Sequence, residues 1–302
     1  LSNKQPLLIL VVGPTASGKT ALAIQLAEKF NTVVVSADSR QFYKELPIGT
    51  AMPDAQQLAQ IQHYFIADRS LHQHLNAGAY EVEANALLNQ LFQKHSIVIA
   101  CGGSGLFLKA LVDGFDAIAP RSVEVRTHWQ NVLAKEGIAA LQEAVKQQDP
   151  VYAATADMQN HQRLIRALEV MEVSGLPYSA QRTESPKKRP YRCLWIGLNP
   201  DRALLHERIH QRVDAMLAAG LVDEARAVWP YKEAEALKTV GYVELFAHFE
   251  GLCSLAEACE QIKTNTRQYA RRQMTWFRKN PDIHWFEAPC SEIEQLIEKL
   301  SS

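Results

Sequence analysis

The stretch GPTASGKT (13–20) restricts the fold of this 302-residue chain more tightly than any other, because of what flanks it. LLILVV (7–12) precedes it, a continuous apolar run of the kind a parallel strand buried on both faces requires. ALAIQLAEKF (21–30) follows at helical period. Strand, turn and helix in that order are the setting in which G-x-x-x-x-G-K-[ST] cradles phosphates. Gly13 and Gly18 let the backbone curl so that successive N–H groups face one anion at the positive end of the helix. The loop Gly13, Pro14, Thr15, Ala16, Ser17, Gly18, Lys19 and Thr20 is therefore a candidate polyphosphate or pyrophosphate site. Lys19 supplies a point charge, and the Thr20 hydroxyl is a ligand for Mg²⁺. A glycine turn with a chance lysine is the competing reading, and the flanking strand and helix argue against it. The motif leaves open what chemistry is done on the phosphate.

The same succession recurs downstream. TVVVS (32–36) reads as a second buried strand, and SIVIAC (96–101) as a third before a glycine turn and the helical GGSGLFLKALVDG. Strands alternating with helices predict an α/β fold, a P-loop NTPase-like doubly wound parallel sheet, over residues 1–115. Residues 116–190 carry amphipathic segments at period 3.6 with no apolar strand run, which predicts an all-helical insertion domain closed by the basic SPKKRP (185–190). Residues 191–302 return to the core. CLWIGLN (193–199) reads as a strand, helices are predicted over 201–219, 221–229, 241–249 and 255–279, and HWFEA (284–288) as a last short strand.

Apolar residues make up 47% and charged residues 22%, which excludes a disordered or collagen-like chain. Lys+Arg number 32 against Asp+Glu 33, so any basic surface must be local. The 5 cysteines (Cys101, Cys193, Cys253, Cys259, Cys290) form no C-x-x-C pair, and a reducing, cytoplasmic compartment is expected. The apolar run before the glycine turn is shorter than a signal or membrane span needs, so no membrane association is expected. Nothing in the sequence demands a dimer, and a monomer is expected.

Asp38, in VVVSADSRQFY, stands just beyond the second strand, where ligands sit in open α/β sheets. There a carboxylate serves as Mg²⁺ ligand or base of a small-molecule kinase, as a base on another nucleophile, or as a plain helix cap. Arg40 suits an anion, and the Gln41 amide suits a base edge.

GPTASGKT, SADSRQFY, IGTAMP (48–53) and ACGGSGLFLKAL (100–111), in that order, resemble the tRNA dimethylallyltransferases (tRNA isopentenyltransferases). The likeness continues through QRLIRALEV (162–170), HERIHQRVDAML (206–217), TVGYVEL (239–245) and TRQYARRQMTWFRK (266–279), nearly the whole chain. The resemblance implies transfer of a dimethylallyl group from dimethylallyl diphosphate to the exocyclic amine of the adenosine 3′-adjacent to the tRNA anticodon, with release of pyrophosphate. By the same resemblance Thr15, Lys19 and Thr20 hold the diphosphate with Mg²⁺, Arg212 adds a second cation, and Asp38 is the general base. Asp38, Ser39, Arg40 and Gln41, and Gln162, Arg163, Leu164, Ile165 and Arg166, correspond to the family's tRNA-contacting stretches. Ser104 and Arg126 stand at two further substrate-contact positions, and the insertion would grip the anticodon stem-loop. Ser104 stands where threonine is frequent, Phe107 where tyrosine is, HYF (63–65) where a His-His stretch is, and Met52 where lysine is usual. No metal-stapled C-terminal RNA module of the zinc-finger kind found in eukaryotic relatives is expected.

Between residues 262 and 280 stand Lys263, Arg267, Arg271, Arg272, Arg278 and Lys279 and no acid, a stretch suited to RNA phosphates. Lys263, Arg267, Arg271 and Arg278 share one helical face, with Met274 and Phe277 turned inward. His206-Glu207-Arg208-Ile209-His210 spells the zinc-protease H-E-x-x-H, but the extended form is not continued, and Arg208 and Arg212 on the same helix repel a cation. His206 and His210 are expected to be exposed, the tryptophans to be packing anchors, and Phe42 and Tyr43 to line a prenyl channel. The competing functions are a P-loop kinase of a small metabolite, an RNA-binding NTPase-like switch, and prenyl transfer to free AMP or ATP. The first has no use for the basic 262–280 stretch, the second lacks an identifiable magnesium-anchoring acid, and the helical insertion favours a large RNA over a free nucleotide.

Overall fold

In the computed structural model, which describes residues 5–116, 118–182 and 185–301, the LLILVV run is a central strand, β1 (Leu7–Val12), buried along its whole length. With β2 (Val34–Ser36), β3 (His63–Tyr64), β4 (Ile97–Cys101), β5 (Arg192–Leu198) and β6 (Ile283–Phe286) it forms a six-stranded sheet, order β3-β2-β4-β1-β5-β6, among the described residues. Every pairing is parallel, and Leu7 lies opposite Ile97 on one side and Arg192 on the other. Parallel neighbours need long crossovers, which the helices supply. Those of the sheet-bearing unit are α1 (Lys19–Lys29), α2 (Ala55–Gln60), α3 (Ala77–Leu91) and α4 (Gly105–Asp113) before the insertion. In the insertion are α5 (Val123–Glu136), α6 (Ile138–Gln148), α7 (Pro150–Thr155) and α8 (His161–Ser174). After it come α9 (Arg202–Ala218), α10 (Leu221–Val228), α11 (Tyr242–Phe249), α12 (Leu255–Phe277) and α13 (Ser291–Ser301).

Alternate residues of a strand share a face. Leu7, Ile9 and Val11 pack with Leu22 and Leu26 of α1 and Ile293 and Ile297 of α13, while Leu8, Leu10 and Val12 are equally buried on the other face. Burial on both faces explains why β1 has no polar alternation. The chain divides into two units: residues up to Val112 together with those from Lys188 on, and Asp113–Lys187. The second holds only helices, around a core that includes Leu141, Val145, Tyr152, Leu164, Ile165 and Leu168. Asp149 caps α7 by accepting from Tyr152 N at 2.9 Å and also takes Ser179 N and Oγ, which fixes the segment after α8. No helix among the described residues is long and apolar enough to cross a membrane.

Candidate active site

Where β1 ends the chain turns at Gly13, whose φ is 143° and where a β-carbon would run into the Leu198 carbonyl of β5. Ala16 (φ 64°) and Gly18 (φ 94°) are left-handed, and Gly18 caps α1. Such a loop aims its N–H groups at one point and forms an anion nest on a helix N-terminus. Lys19 Nζ donates to the Pro14 carbonyl at 2.8 Å, folded back across the loop. Ser17 Oγ is buried with no partner among the described residues, an orphaned donor that suits an anion in the nest.

One cavity takes in Thr15, Lys19 and Thr20, the carboxylate Asp38, and Arg40, Gln41 and Arg212. The sheet order explains the meeting: Cys101 ends β4 between the ends of β1 and β2, and it too lines the cavity. Arg212 of α9 donates from Nη1 to Thr15 Oγ1 at 3.3 Å. Asp38 Oδ1 accepts from Arg40 N at 3.0 Å, an Asx turn. No helix begins there, so the helix-cap reading of Asp38 falls. Val213, Met216, Leu221, Val240 and Ile262 give the same cavity an apolar wall.

Arg40 Nη1 donates to the Glu235 carbonyl at 2.9 Å. The Gln41 amide, expected at a base edge, donates to the Thr50 and Ala51 carbonyls at 3.2 and 3.0 Å and accepts from Ser36 Oγ at 3.4 Å. Loop 48–51 is held in turn by Glu224 of α10, which accepts from Ile48 N and Gly49 N, both at 2.8 Å, and from the Tyr242 hydroxyl at 2.6 Å. Gly49 has no room for a β-carbon against the Tyr242 ring.

α12 forms the back wall. Gln273, buried, accepts from Thr15 N at 2.8 Å and donates to the Gly103 carbonyl at 2.9 Å, so one amide joins the phosphate loop to the glycine turn after β4. The glycines of GGSG record close approaches: a β-carbon at Gly102 would meet the Ala37 backbone, at Gly103 the Gln273 amide, and at Gly105 the Trp276 indole. Between them Ser104 Oγ accepts from Ser39 N at 3.0 Å and donates to Ser39 Oγ at 3.1 Å. Ala270 packs beside Ala16 and against Leu205 and Ile209 of α9. Gln273, Tyr269, Thr266 and Glu224 thus belong to the site or its support, although residue types alone did not single them out. The signal was positional: Thr266, Tyr269 and Gln273 recur at spacings of three and four on one helix face.

Burial pushes the Lys19 ammonium down to about 8; the Cys101 and Asp38 sides pull it up, and Arg212 pushes it further down. Burial raises the Cys101 thiol to about 11, against the pull of Lys19. Arg212 is lowered by burial and partly restored by Asp38. The Tyr269 phenol is raised, first by burial and then by Asp38, so it stays a neutral donor or acceptor. Cations that their surroundings hold at a disadvantage gain when an anion enters.

In the helical unit Arg126 of α5 and Gln162 of α8 meet, Nη2 to Oε1, at 2.9 Å, and Arg166 Nη2 donates to the Ala119 carbonyl at 2.7 Å. Gln162 and Arg163 are exposed. Leu164 and Ile165 are not: both are fully buried in that unit's core, which corrects the expectation that the whole stretch meets tRNA through its side chains.

Phe42 and Tyr43 are corrected too. They are 0% and 1% exposed, Phe42 stacks on Tyr80 and packs against Phe65 and Phe107, and the apolar wall of the cavity comes instead from α9, α10, α12 and the loop before α11. His206 and His210 are half-buried rather than exposed. Arg267 Nη1 lies 2.7 Å from His210 Nε2, so a cationic side chain occupies the position a metal would need, and no group of three or more metal-ligating side chains occurs among the described residues. α12 is divided in use: Met274 and Phe277 point inward as expected, Lys263 pairs with Asp214 at 2.9 Å and Glu260 at 3.2 Å, and Arg278 falls just past the helix end. Arg271, Arg272, Arg278 and Lys279 are exposed. Arg189, from the second basic stretch, bridges Glu81 at 3.0 Å and the Val112 carbonyl at 2.9 Å and so serves the fold.

The family model for IPP transferase matches residues 41–280. Among curated proteins, the tRNA dimethylallyltransferase of Christiangramia forsetii is 45% identical over 280 residues, 93% of each chain. The tRNA dimethylallyltransferase 2 of Azobacteroides pseudotrichonymphae is 47% identical over 279 residues, 92% of this chain and 91% of that one. Among solved structures, the full-length tRNA isopentenylpyrophosphate transferase of Bacillus halodurans superposes with a TM-score of 0.71 at 29% identity, covering 98% of this chain and 95% of that one. A eukaryotic dimethylallyltransferase acting on tRNA shares the fold, with a TM-score of 0.79 at 23% identity over 98% of this chain and 77% of that one.

Proposed function

The chain belongs to the IPP transferase family, the tRNA dimethylallyltransferases, and on that premise we propose how its cavity transfers a dimethylallyl group to tRNA. The donor is dimethylallyl diphosphate, and the acceptor is the exocyclic amine of the adenosine 3′-adjacent to the anticodon. The observation that carries this reading is the composition of one cavity: an anion nest with Lys19 and Arg212, a carboxylate at Asp38, and an apolar wall of Val213, Met216, Leu221, Val240 and Ile262. A kinase acting on a small polar metabolite has no need of that wall. A five-carbon chain does, because it gains by leaving water.

The carbon–oxygen bond of the allylic diphosphate breaks as the nitrogen–carbon bond forms, and the bond pair leaves with pyrophosphate. Negative charge grows on the leaving oxygen, and the loop amides, Thr15, Lys19 and Arg212 meet it there, which makes theirs transition-state work. The amine is a poor nucleophile because its lone pair is shared with the ring, and Asp38 takes its proton as the bond forms. The adenine must leave the anticodon stack to reach Asp38. Thr20 faces the cavity, and a hydroxyl beside a diphosphate suits Mg²⁺, which keeps few protein ligands when phosphates complete its shell. When bound, Mg²⁺ neutralises part of the diphosphate charge. The exposed Arg271, Arg272, Arg278 and Lys279 take backbone phosphates of the tRNA, which gives affinity without sequence reading.

The test is transfer of label from dimethylallyl diphosphate to unmodified tRNA, run with Asp38→Asn, which keeps an oxygen for Arg40 N. The variant should lose about 10²–10⁴-fold in kcat and keep its pyrophosphate affinity. AMP, ATP and a tRNA lacking the target adenosine are the controls. Label in free nucleotide would move the acceptor, and a fully active variant would remove Asp38 from the reaction.

A further inference from the structure

We propose that Glu169, buried in the helical unit, is a positioning residue for tRNA binding: it holds Arg126 and Arg166 in the attitude in which they take RNA phosphates. The inference rests on the reading that these two arginines contact tRNA.

The Glu169 side chain is 0% exposed, while those of Arg126 and Arg166 are 26% and 22% exposed. Its Oε1 accepts from Ser122 N, at the start of α5, at 2.8 Å. Its Oε2 lies 3.1 Å from Arg166 Nη1 and 3.6 Å from Arg126 Nη1, charge contacts without hydrogen-bond alignment, and Oε2 and Arg166 Nη1 are both buried. One carboxylate therefore serves two guanidinium groups that come from different helices. The second edge of each is fixed as well, Arg126 on Gln162 Oε1 and Arg166 on the Ala119 carbonyl.

A buried carboxylate is a poor way to stabilise a helical core, where an apolar residue of similar size does as well or better. The arrangement does something an apolar residue cannot. Two guanidinium groups side by side repel one another and spread unless an anion lies between them. With one anion for two cations, the cluster keeps a net positive charge, and both guanidinium groups are set in place before RNA arrives. A guanidinium group held in advance loses less freedom on meeting a phosphate than one that must be ordered on binding.

Positioning and simple charge predict opposite signs for Glu169→Gln. The variant is isosteric and keeps an acceptor for Ser122 N, but it turns an amide toward the guanidinium groups. If Glu169 were only a negative charge near RNA, its removal would tighten tRNA binding and steepen the salt dependence. Under the proposal, affinity for unmodified tRNA falls about tenfold. The slope of log K against log salt becomes shallower by about 1.

The experiment titrates the full chain with unmodified tRNA between about 50 and 300 mM KCl. It compares wild type, Glu169→Gln, the Arg126→Ala/Arg166→Ala pair, and all three changes together. The expected result is weaker binding by Glu169→Gln, no further loss when it is added to the arginine pair, and a rise in KM for tRNA rather than a fall in kcat. Should Glu169→Gln cost the unit its helix by circular dichroism, Arg126→Lys/Arg166→Lys carries the test, since it keeps every charge and removes only the forks; the same weakening is expected. Binding by Glu169→Gln at or above wild-type affinity overturns the proposal, as does a loss that adds to the arginine pair. If the alanine pair itself binds tRNA like wild type, the reading of the arginines as contacts fails, and that outcome is distinct from the first two.

Discussion

Replacing Gln273 with leucine tests whether α12 latches the phosphate loop. Leucine fits the space but makes neither of the amide's hydrogen bonds, so Thr15 N and the Gly103 carbonyl both lose their partner. An unpaired buried group costs about 1–3 kcal/mol. Gly103 is buried and bears that in full, whereas Thr15 is half-buried on the cavity, where water reaches its N–H and reduces the cost. The sum is about 2–4 kcal/mol. For a body of this size each kcal/mol lowers Tm by about 2–4 °C, so calorimetry should show the sheet-bearing unit melting about 5–15 °C lower. Inorganic pyrophosphate, added to saturation, should protect the variant less than wild type because the loop that receives it is no longer held from behind. Gln273→Glu sharpens the test: it still accepts from Thr15 N but sets a carboxylate against the Gly103 carbonyl and repels pyrophosphate. A leucine variant that melts within about 1 °C of wild type and binds pyrophosphate equally well would refute the latch.

Two further outcomes follow from the charges and bonds of the site. Lys19 binds anions as the ammonium, and burial holds it down to about 8 in the free protein. Wild-type pyrophosphate Kd, taken relative to Lys19→Arg at each pH to cancel the ligand's own ionisation, should therefore be level below that pH and rise up to tenfold per pH unit above it. Lys19→Arg keeps its charge throughout, and a ratio of the two Kd values that stays level to about pH 10 by titration calorimetry would contradict the reading. Tyr242→Phe removes the 2.6 Å bond to the Glu224 carboxylate and should cost about 1.5–3 kcal/mol by denaturant titration, and unchanged stability would show that loop 48–51 is held by other means.

The phosphate loop was legible because its requirements are local: a strand, two glycines and a helix within about 25 residues, all read from periodicity. β5 and α9 to α12 were legible for the same reason, and their observed ends fall within two residues of those expected, whereas α13 was not foreseen. β3 was not, since two half-buried polar residues carry no alternation and pair only because Val34 and Val35 lie beside them. Gln273 and Glu169 escaped as individuals. A glutamine on an amphipathic helix looks like any other until the fold brings it to a backbone amide 258 residues away. Glu169 sits where helical period calls for an apolar residue, and its partners lie 43 and three residues before it. Phe42 and Tyr43 misled because nearness to Asp38 along the chain says nothing about direction, and successive side chains diverge.

The position of β1 also sets a timetable for folding. Its partners are β4, which begins at Ile97, and β5, which begins at Arg192, so β1 has neither neighbour in the sheet until about 85 and 180 further residues have been made. At ordinary rates of translation the second edge stays bare for on the order of 10–40 s. During that interval the helical unit, which ends at Lys187, is synthesised whole. A wholly apolar six-residue strand with an unpaired edge is what holdase chaperones bind and what nucleates aggregation. Placing the insertion between β4 and β5 lengthens that exposure, so its burden falls on the nascent chain rather than on the finished protein.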